Sequence, residues 1–236
     1  AFEWFGGTVN CKYLVSFASY DDDFDTDSGF NGNVQFGLVV RDPGLADQSK
    51  SNAFESDNNS TSVPGTSFTS AVFSNITVVG PSFRSTLPSG LATDALYQYA
   101  LHLRRNTQLK VYNSVFMDYT QGLRVDGLTT EANALAGNLI FNNNLIANMT
   151  SNAATATLAA SANGVSGFGT ATAFNTWYAA GGNSTLASSA GLLTKPYDTT
   201  SGLVYTGLDF RPAAVTAPSV TSSTISYNQG DVATQL

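Results

Sequence analysis

Charge is scarce in this sequence. Of 236 residues only 11% are Asp, Glu, Lys or Arg, and 10 basic residues face 17 acidic ones, a net charge of −7. So few cations and that sign of charge argue against nucleic acid or an anionic membrane surface as partner. Cysteine is almost missing. Cys11 alone closes no internal disulfide, so the cysteine count does not establish an oxidising compartment. Its place in an apolar run predicts a small buried hydrophobe rather than a reactive thiol. His102 is the single histidine, and no Ser or Cys signature accompanies it, which argues against a nucleophilic triad. No apolar run approaches the ~20 residues of a transmembrane helix, and no secretion leader is visible. The chain opens without Met, directly on Phe2-Glu3-Trp4-Phe5, which reads as a processed product or part of a longer polypeptide.

What the chain does contain is repetition. One phrase begins at Phe2, Phe24, Phe54, Leu101 and Leu123, at intervals of 22, 30, 47 and 22 residues, each time an apolar residue followed by a charged or basic one. A second phrase, apolar residues around an Asn, recurs about Asn75, Asn113 and Asn143. Imperfect repeats of about 20–30 residues mark a solenoid, in which each unit buries its apolar face only against its neighbours. The segments 13–15, 34–40, 71–79, 109–117 and 139–146 read as short strands, with a single turn of helix at 93–99. Sequential short strands at repeat spacing favour parallel coiling, with an antiparallel sandwich as the alternative.

Parallel coiling predicts an all-β solenoid with long loop insertions, at 42–69 and 80–99, projecting from one side. Phe2, Phe24, Phe54, Leu101 and Leu123 then form an inward stack. Asn75, Asn113 and Asn143 stack at a turn, where Asn tolerates the left-handed backbone and its amide bonds the next rung. Regular rungs are expected over 1–149. Residues 150–236 form less regular coils and a closing segment of the same domain, the aromatics of 168–178 requiring burial. The Asn ladder resembles that of pectate-lyase-like β-helices.

The same register decides where the charges fall. Asp23, Asp25 and Asp27 alternate, so they are expected on one side of a strand, and with Glu55 and Asp57 on the next rung they form a candidate Ca²⁺ site. Alternatively they are a solvated acidic turn. Glu3, His102, Arg104, Arg124 and Asp126 continue the column as a charge ladder or glycan face, with Asp57–Arg104 and Arg104–Asp126 as expected pairs. Trp4, Phe5, Tyr20, Phe30 and Tyr119 are core members or, alternatively, sugar platforms. No residue is assigned a catalytic role. A polysaccharide lyase would use a calcium-neutralised uronate and an Arg base. A glycoside hydrolase would use Asp25 with Glu55 or Asp57. Five N-x-[ST] sequons, at Asn58, Asn59, Asn75, Asn148 and Asn183, and the Asp198-Thr199-Thr200 pattern are near chance in so Asn- and Thr-rich a chain.

The segment Glu3-Trp4-Phe5-Gly6-Gly7-Thr8-Val9-Asn10-Cys11-Lys12, with Asp21-Asp22-Asp23-Phe24-Asp25-Thr26-Asp27 and His102-Leu103-Arg104-Arg105-Asn106, resembles secreted surface proteins of the Bacteroidota. The resemblance covers residues 1 to about 147 and implies a right-handed parallel β-helix placed outside the cell or on its outer surface. It implies no catalytic residues. The functional expectation is a non-enzymatic structural or adhesive protein, with a carbohydrate-active enzyme or glycan-binding module as the rival. The N-terminal edge, with Phe2, Trp4 and Phe5, is expected to meet another polypeptide: a missing half, a partner subunit or a self-copy.

Overall fold

Short β-branched and aromatic runs separated by residues with left-handed backbone dictate coils rather than hairpins. A computed structural model describes residues 1–82, 94–156, 158, 167–197 and 207–213. The first coil is β1 (Phe2–Phe5), β2 (Cys11–Lys12) and β3 (Val15–Phe17), and the second is β4 (Phe24–Asp27), β5 (Asn33–Gln35) and β6 (Leu38–Val40). The third comprises β7 (Phe54–Ser56), β8 (Val72–Ser74) and β9 (Thr77–Val79); the fourth β10 (Tyr99–Leu103), β11 (Lys110–Tyr112) and β12 (Val115–Met117). In the fifth, α1 (Leu128–Leu135) follows β13 (Gln121–Val125) and precedes β14 (Ile140–Asn142) and β15 (Leu145–Ala147). The sixth has β16 (Ala154–Ala156), then α2 (Ala171–Ala180) where a second-sheet strand would stand, then β17 (Ser184–Leu186).

Stacking these coils makes three parallel sheets: β1-β4-β7-β10-β13-β16, β2-β5-β8-β11-β14, and β3-β6-β9-β12-β15-β17. The molecule is a right-handed parallel β-helix. The expected antiparallel alternative is overturned, since β5 pairs with β8 and β6 with β9 in parallel. Each of the longer segments read as one strand is two, broken at a corner. Tyr13, Phe36, Asn75, Asn113 and Asn143 occupy that corner with φ of 58°, 59°, 55°, 50° and 55°.

The predicted inward stack is present. Phe2 pairs with Phe24, Phe24 with Phe54, Phe54 with Leu101, Leu101 with Leu123, and Leu123 with Ala154. Phe24 and Phe54 meet edge-to-face at 5.1 Å, and Phe54 meets Phe73 and Phe116 at 5.0 and 5.8 Å. Each fully buried side chain of this kind contributes roughly 1.5–3 kcal/mol.

The Asn ladder is displaced from its expected column. Asn75, Asn113 and Asn143 hold the left-handed corner, but the inter-rung side-chain bonds come one residue later. Ser114 Oγ accepts from Ile76 N (3.0 Å), Asn144 Oδ1 from Ser114 N (3.0 Å) and Asn183 Oδ1 from Asn144 N (2.9 Å). Those side chains turn inward, where only another side chain satisfies the backbone N–H.

Two helices were not foreseen, and the single turn expected at 93–99 is not one: Tyr99 begins β10, and 94–98 is non-helical. Thr170 caps α2 by accepting from Ala173 N (3.2 Å). The helix covers the end of the core with Phe174, whose ring meets Phe168 at 5.2 Å, while Tyr178 stacks on Phe141 at 6.1 Å. β18 (Leu193–Lys195) and β19 (Asp209–Pro212) pair antiparallel, so the closing phrase forms a hairpin rather than a further rung. Asp198-Thr199-Thr200 lies outside the described residues.

Candidate functional site

Three outward columns of the first sheet bring chemistry-bearing side chains together. Strand alternation and the register place Glu3, Asp25, Glu55, His102, Arg124 and Thr155 in one column. Asp27, Asp57, Arg104 and Asp126 follow two residues on, and Asp22, Asn52, Tyr99 and Gln121 stand three residues before. Adjacent members lie about 4.8 Å apart, so like charges repel unless paired.

Most of them are paired. Arg104 donates from Nε to Asp57 Oδ2 (2.9 Å) and from Nη2 to Glu55 Oε1, while Arg105 Nη1 reaches the same Asp57 oxygen at 2.9 Å. His102 Nε2 lies 3.1 Å from Asp126 Oδ2, and Arg124 Nη2 lies 3.5 Å from Asp126 Oδ1. The expected Asp57–Arg104 pair is thus formed, whereas Asp126 is engaged by His102 and Arg124 instead of Arg104. Tyr99 lies against the imidazole, ring centroids 4.8 Å apart.

The acidic rungs are different. Burial, reinforced by Glu55, Asp57, Glu3 and Asp27, pushes the Asp25 carboxyl up to about 7. Asp22, which sequence reasoning passed over, is pushed up to about 8 by burial and then by Glu55, although Asn52 N donates to it. Burial likewise raises Glu55, against the opposing charges of Arg104 and His102. The signal that could have found Asp22 was its position two residues before an inward Phe, the same phase as Asn52 and Tyr99.

Asp23 corrects the candidate metal set. Strand alternation resets at the corner before Phe24, so Asp23 points into the core, away from Asp25 and Asp27. There Arg41 Nη1 donates to its Oδ2 (2.9 Å), and Ser16 and Ser19 hydroxyls donate to its Oδ1 (2.6 Å each). Neither Asp23 nor Arg41 is exposed. Burial pushes the Asp23 carboxyl up, and Arg41 with the two hydroxyls opposes it. Arg41 also lies over the Tyr97 ring, 4.8 Å from its centroid, and donates from Nε to the phenol oxygen at 3.3 Å. With Glu55 and Asp57 held by arginines, the five proposed ligands do not fit a calcium cage. Among the described residues no group of three or more His, Cys, Asp or Glu is arranged to hold a metal ion.

The aromatic platforms resolve mostly into core. Trp4 and Phe30 stack at 5.1 Å, Phe2 stacks on Phe24 at 5.8 Å, and Tyr119 is buried. Phe5, 69% exposed, and Tyr20 face outward. Cys11 is half-buried in line with Val34, and burial raises its thiol. No helix among the described residues is long and apolar enough to cross a membrane.

The chain belongs to the pectate-lyase-like β-helix domain family, whose model matches residues 1–185. No curated protein and no solved structure matches it.

Proposed function

We propose that this chain is a non-enzymatic structural or adhesive component of a bacterial outer surface or extracellular layer, and that the outer face of its first sheet contacts glycans. The observation that carries the reading is the pairing on that face. Arg104 is held by two carboxylates, Arg105 shares one of them, and His102 and Arg124 share Asp126. The cations a lyase would use as base or uronate clamp therefore already have partners, and the pairs tie neighbouring rungs into a rigid polar surface. The sparse charge and the abundance of Asn, Ser and Thr support placement outside the cell. Incubation with pectin, polygalacturonate, alginate and xylan should yield neither unsaturated product nor new reducing ends.

A second reading rests on a separate observation. Asp22 and Asp25, with carboxyls at about 8 and about 7, sit on one rung beside Glu55. A carboxyl that keeps its proton near neutrality is suited to general acid work on a glycosidic oxygen. Turnover of any of the four polysaccharides that disappears in Asp25→Asn would establish this reading against the first.

A further inference from the structure

A separate piece of chain covers the outer face of the third sheet. Val79, Met117 and Ala147 stand in one column there, with Leu145 beside them, and all four are buried. Leu192 and Leu193 lie over them, and Tyr197 and Phe210 pack alongside. The covering strap is the hairpin of β18 and β19 with the residues just before it, and neither strand joins any of the three parallel sheets. Apolar contact, rather than a shared backbone ladder, seats it.

Beneath the strap lies a carboxyl that works against this seal. Asp118 leaves β12 at the corner with φ of 63° and is wholly buried. Its Oδ1 accepts from Asn148 Nδ2 at 2.6 Å and from Ser189 Oγ at 2.7 Å, so Ser189 ties the strap to the coils. Its Oδ2 is buried as well and has no hydrogen-bond partner among the described residues. The other polar group against it is the Ser82 amide, which donates to its backbone oxygen at 2.7 Å.

No cation among the described residues is paired with Asp118. Arg41, two coils back at the same corner, is committed to Asp23. In the strap, Lys195 and Arg211 are exposed, and Asp209 pairs with Arg211. The phenols of Tyr119 and Tyr197 are uncharged near neutrality. An ionised carboxylate in such a place keeps one oxygen without a donor, which burial makes costly. Lifting the strap returns that oxygen to water.

We infer that the β18–β19 hairpin is a pH-dependent strap, latched by Ser189 on Asp118 and released from the third sheet when the Asp118 side chain ionises. Burial raises this carboxyl to about 6, so the latched form binds the proton more tightly than the lifted form. Latching is therefore strongest at low pH and is lost as pH rises from the ordinary carboxylate value through about 6. Between pH 5 and pH 8 the lifted population grows about tenfold.

Met117 reports on the strap from beneath it. Hydrogen peroxide converts an accessible thioether to the sulfoxide, and peptide mass spectrometry of the whole chain follows that conversion. With free methionine as the reference at each pH, Met117 should be oxidised about tenfold faster at pH 8 than at pH 5. Asp118→Asn, neutral at every pH and suited to a left-handed corner, should keep the slow rate at both. Ser189→Ala should speed oxidation at both, because the latch is gone. Urea at about 1 M should change the wild-type rate little, since lifting a strap exposes far less surface than unfolding. Equal rates at pH 5 and pH 8 overturn the inference, as does a pH difference that persists in Asp118→Asn. A rate that climbs with urea as steeply as global unfolding also overturns it.

Discussion

Arg41 is fully buried, and so is the carboxylate it faces. Removing one member of such a pair leaves the other as an uncompensated charge in the core, which costs about 3–5 kcal/mol. Arg41→Met should therefore lower the urea midpoint sharply, while Arg41→Met with Asp23→Leu should recover much of the loss. A single variant no less stable than wild type would contradict the pairing. The acidic run containing Asp23 was plain in the sequence, but its geometry was not. Alternation correctly sends Asp25 and Asp27 outward, yet it cannot show that the strand begins at Phe24 and that the corner reverses Asp23. Asp25 supports a prediction of opposite sign. Its carboxyl is raised by burial to about 7, so the folded chain prefers the neutral form. The stabilisation this gives is present at low pH and is lost as pH rises through about 7. Asp25→Asn, neutral at every pH, should raise the melting temperature more at pH 8 than at pH 5, because the loss accumulates from the ordinary carboxylate value up to about 7. Equal effects at both values would contradict the assignment.

At the scale of elements, the corner between the second and third sheets separates two roles that the sequence merges. Asn113 supplies a left-handed backbone at φ 50°, whereas Asn144 accepts from Ser114 N and donates to Val111 O at 3.1 Å. Asn144→Ala leaves buried backbone groups without partners, at about 1–3 kcal/mol, and should destabilise more than Asn113→Ala, which loses only the conformational preference. Chemical denaturation of the two variants decides it; the reverse order would return the ladder to the Asn113 column. The Asn repeat was legible, but a repeat shows which positions stack and not which way each side chain turns. The inward stack from Phe2 to Leu123 was legible for the opposite reason: apolar residues at equivalent positions can point only one way. The helices escaped because neither carries a strong apolar stripe. α1 is held partly by Glu131, which accepts from Phe168 N at 2.9 Å from its buried face, a long-range contact that no local pattern encodes. The aromatics of α2 showed that something must cover the core there, without showing that it would be helical.

Over the whole molecule the buried acids act in concert. Asp22, Asp25 and Asp118 have carboxyls raised to about 8, about 7 and about 6, each chiefly by burial. Folded values above the unfolded ones mean that the native state holds more protons, so stability falls as pH rises through this window. The melting temperature should be higher at pH 5 than at pH 8.5; a profile rising toward alkali would contradict the burial of all three. Excess EDTA should leave the melting curve unchanged, because Asp23 is held in the core by Arg41 while Glu55 and Asp57 are held by Arg104 and Arg105, leaving only Asp25 and Asp27 of the five carboxylates. The central claim concerns the outer face of the first sheet, and affinity electrophoresis in gels containing each of the four polysaccharides tests it most directly. Retardation in at least one gel is predicted, reduced in Tyr99→Ala and His102→Ala and retained in Lys110→Ala on the second sheet. Migration unaffected by every polysaccharide, or retardation that survives the first-sheet substitutions and fails with Lys110→Ala, would contradict it.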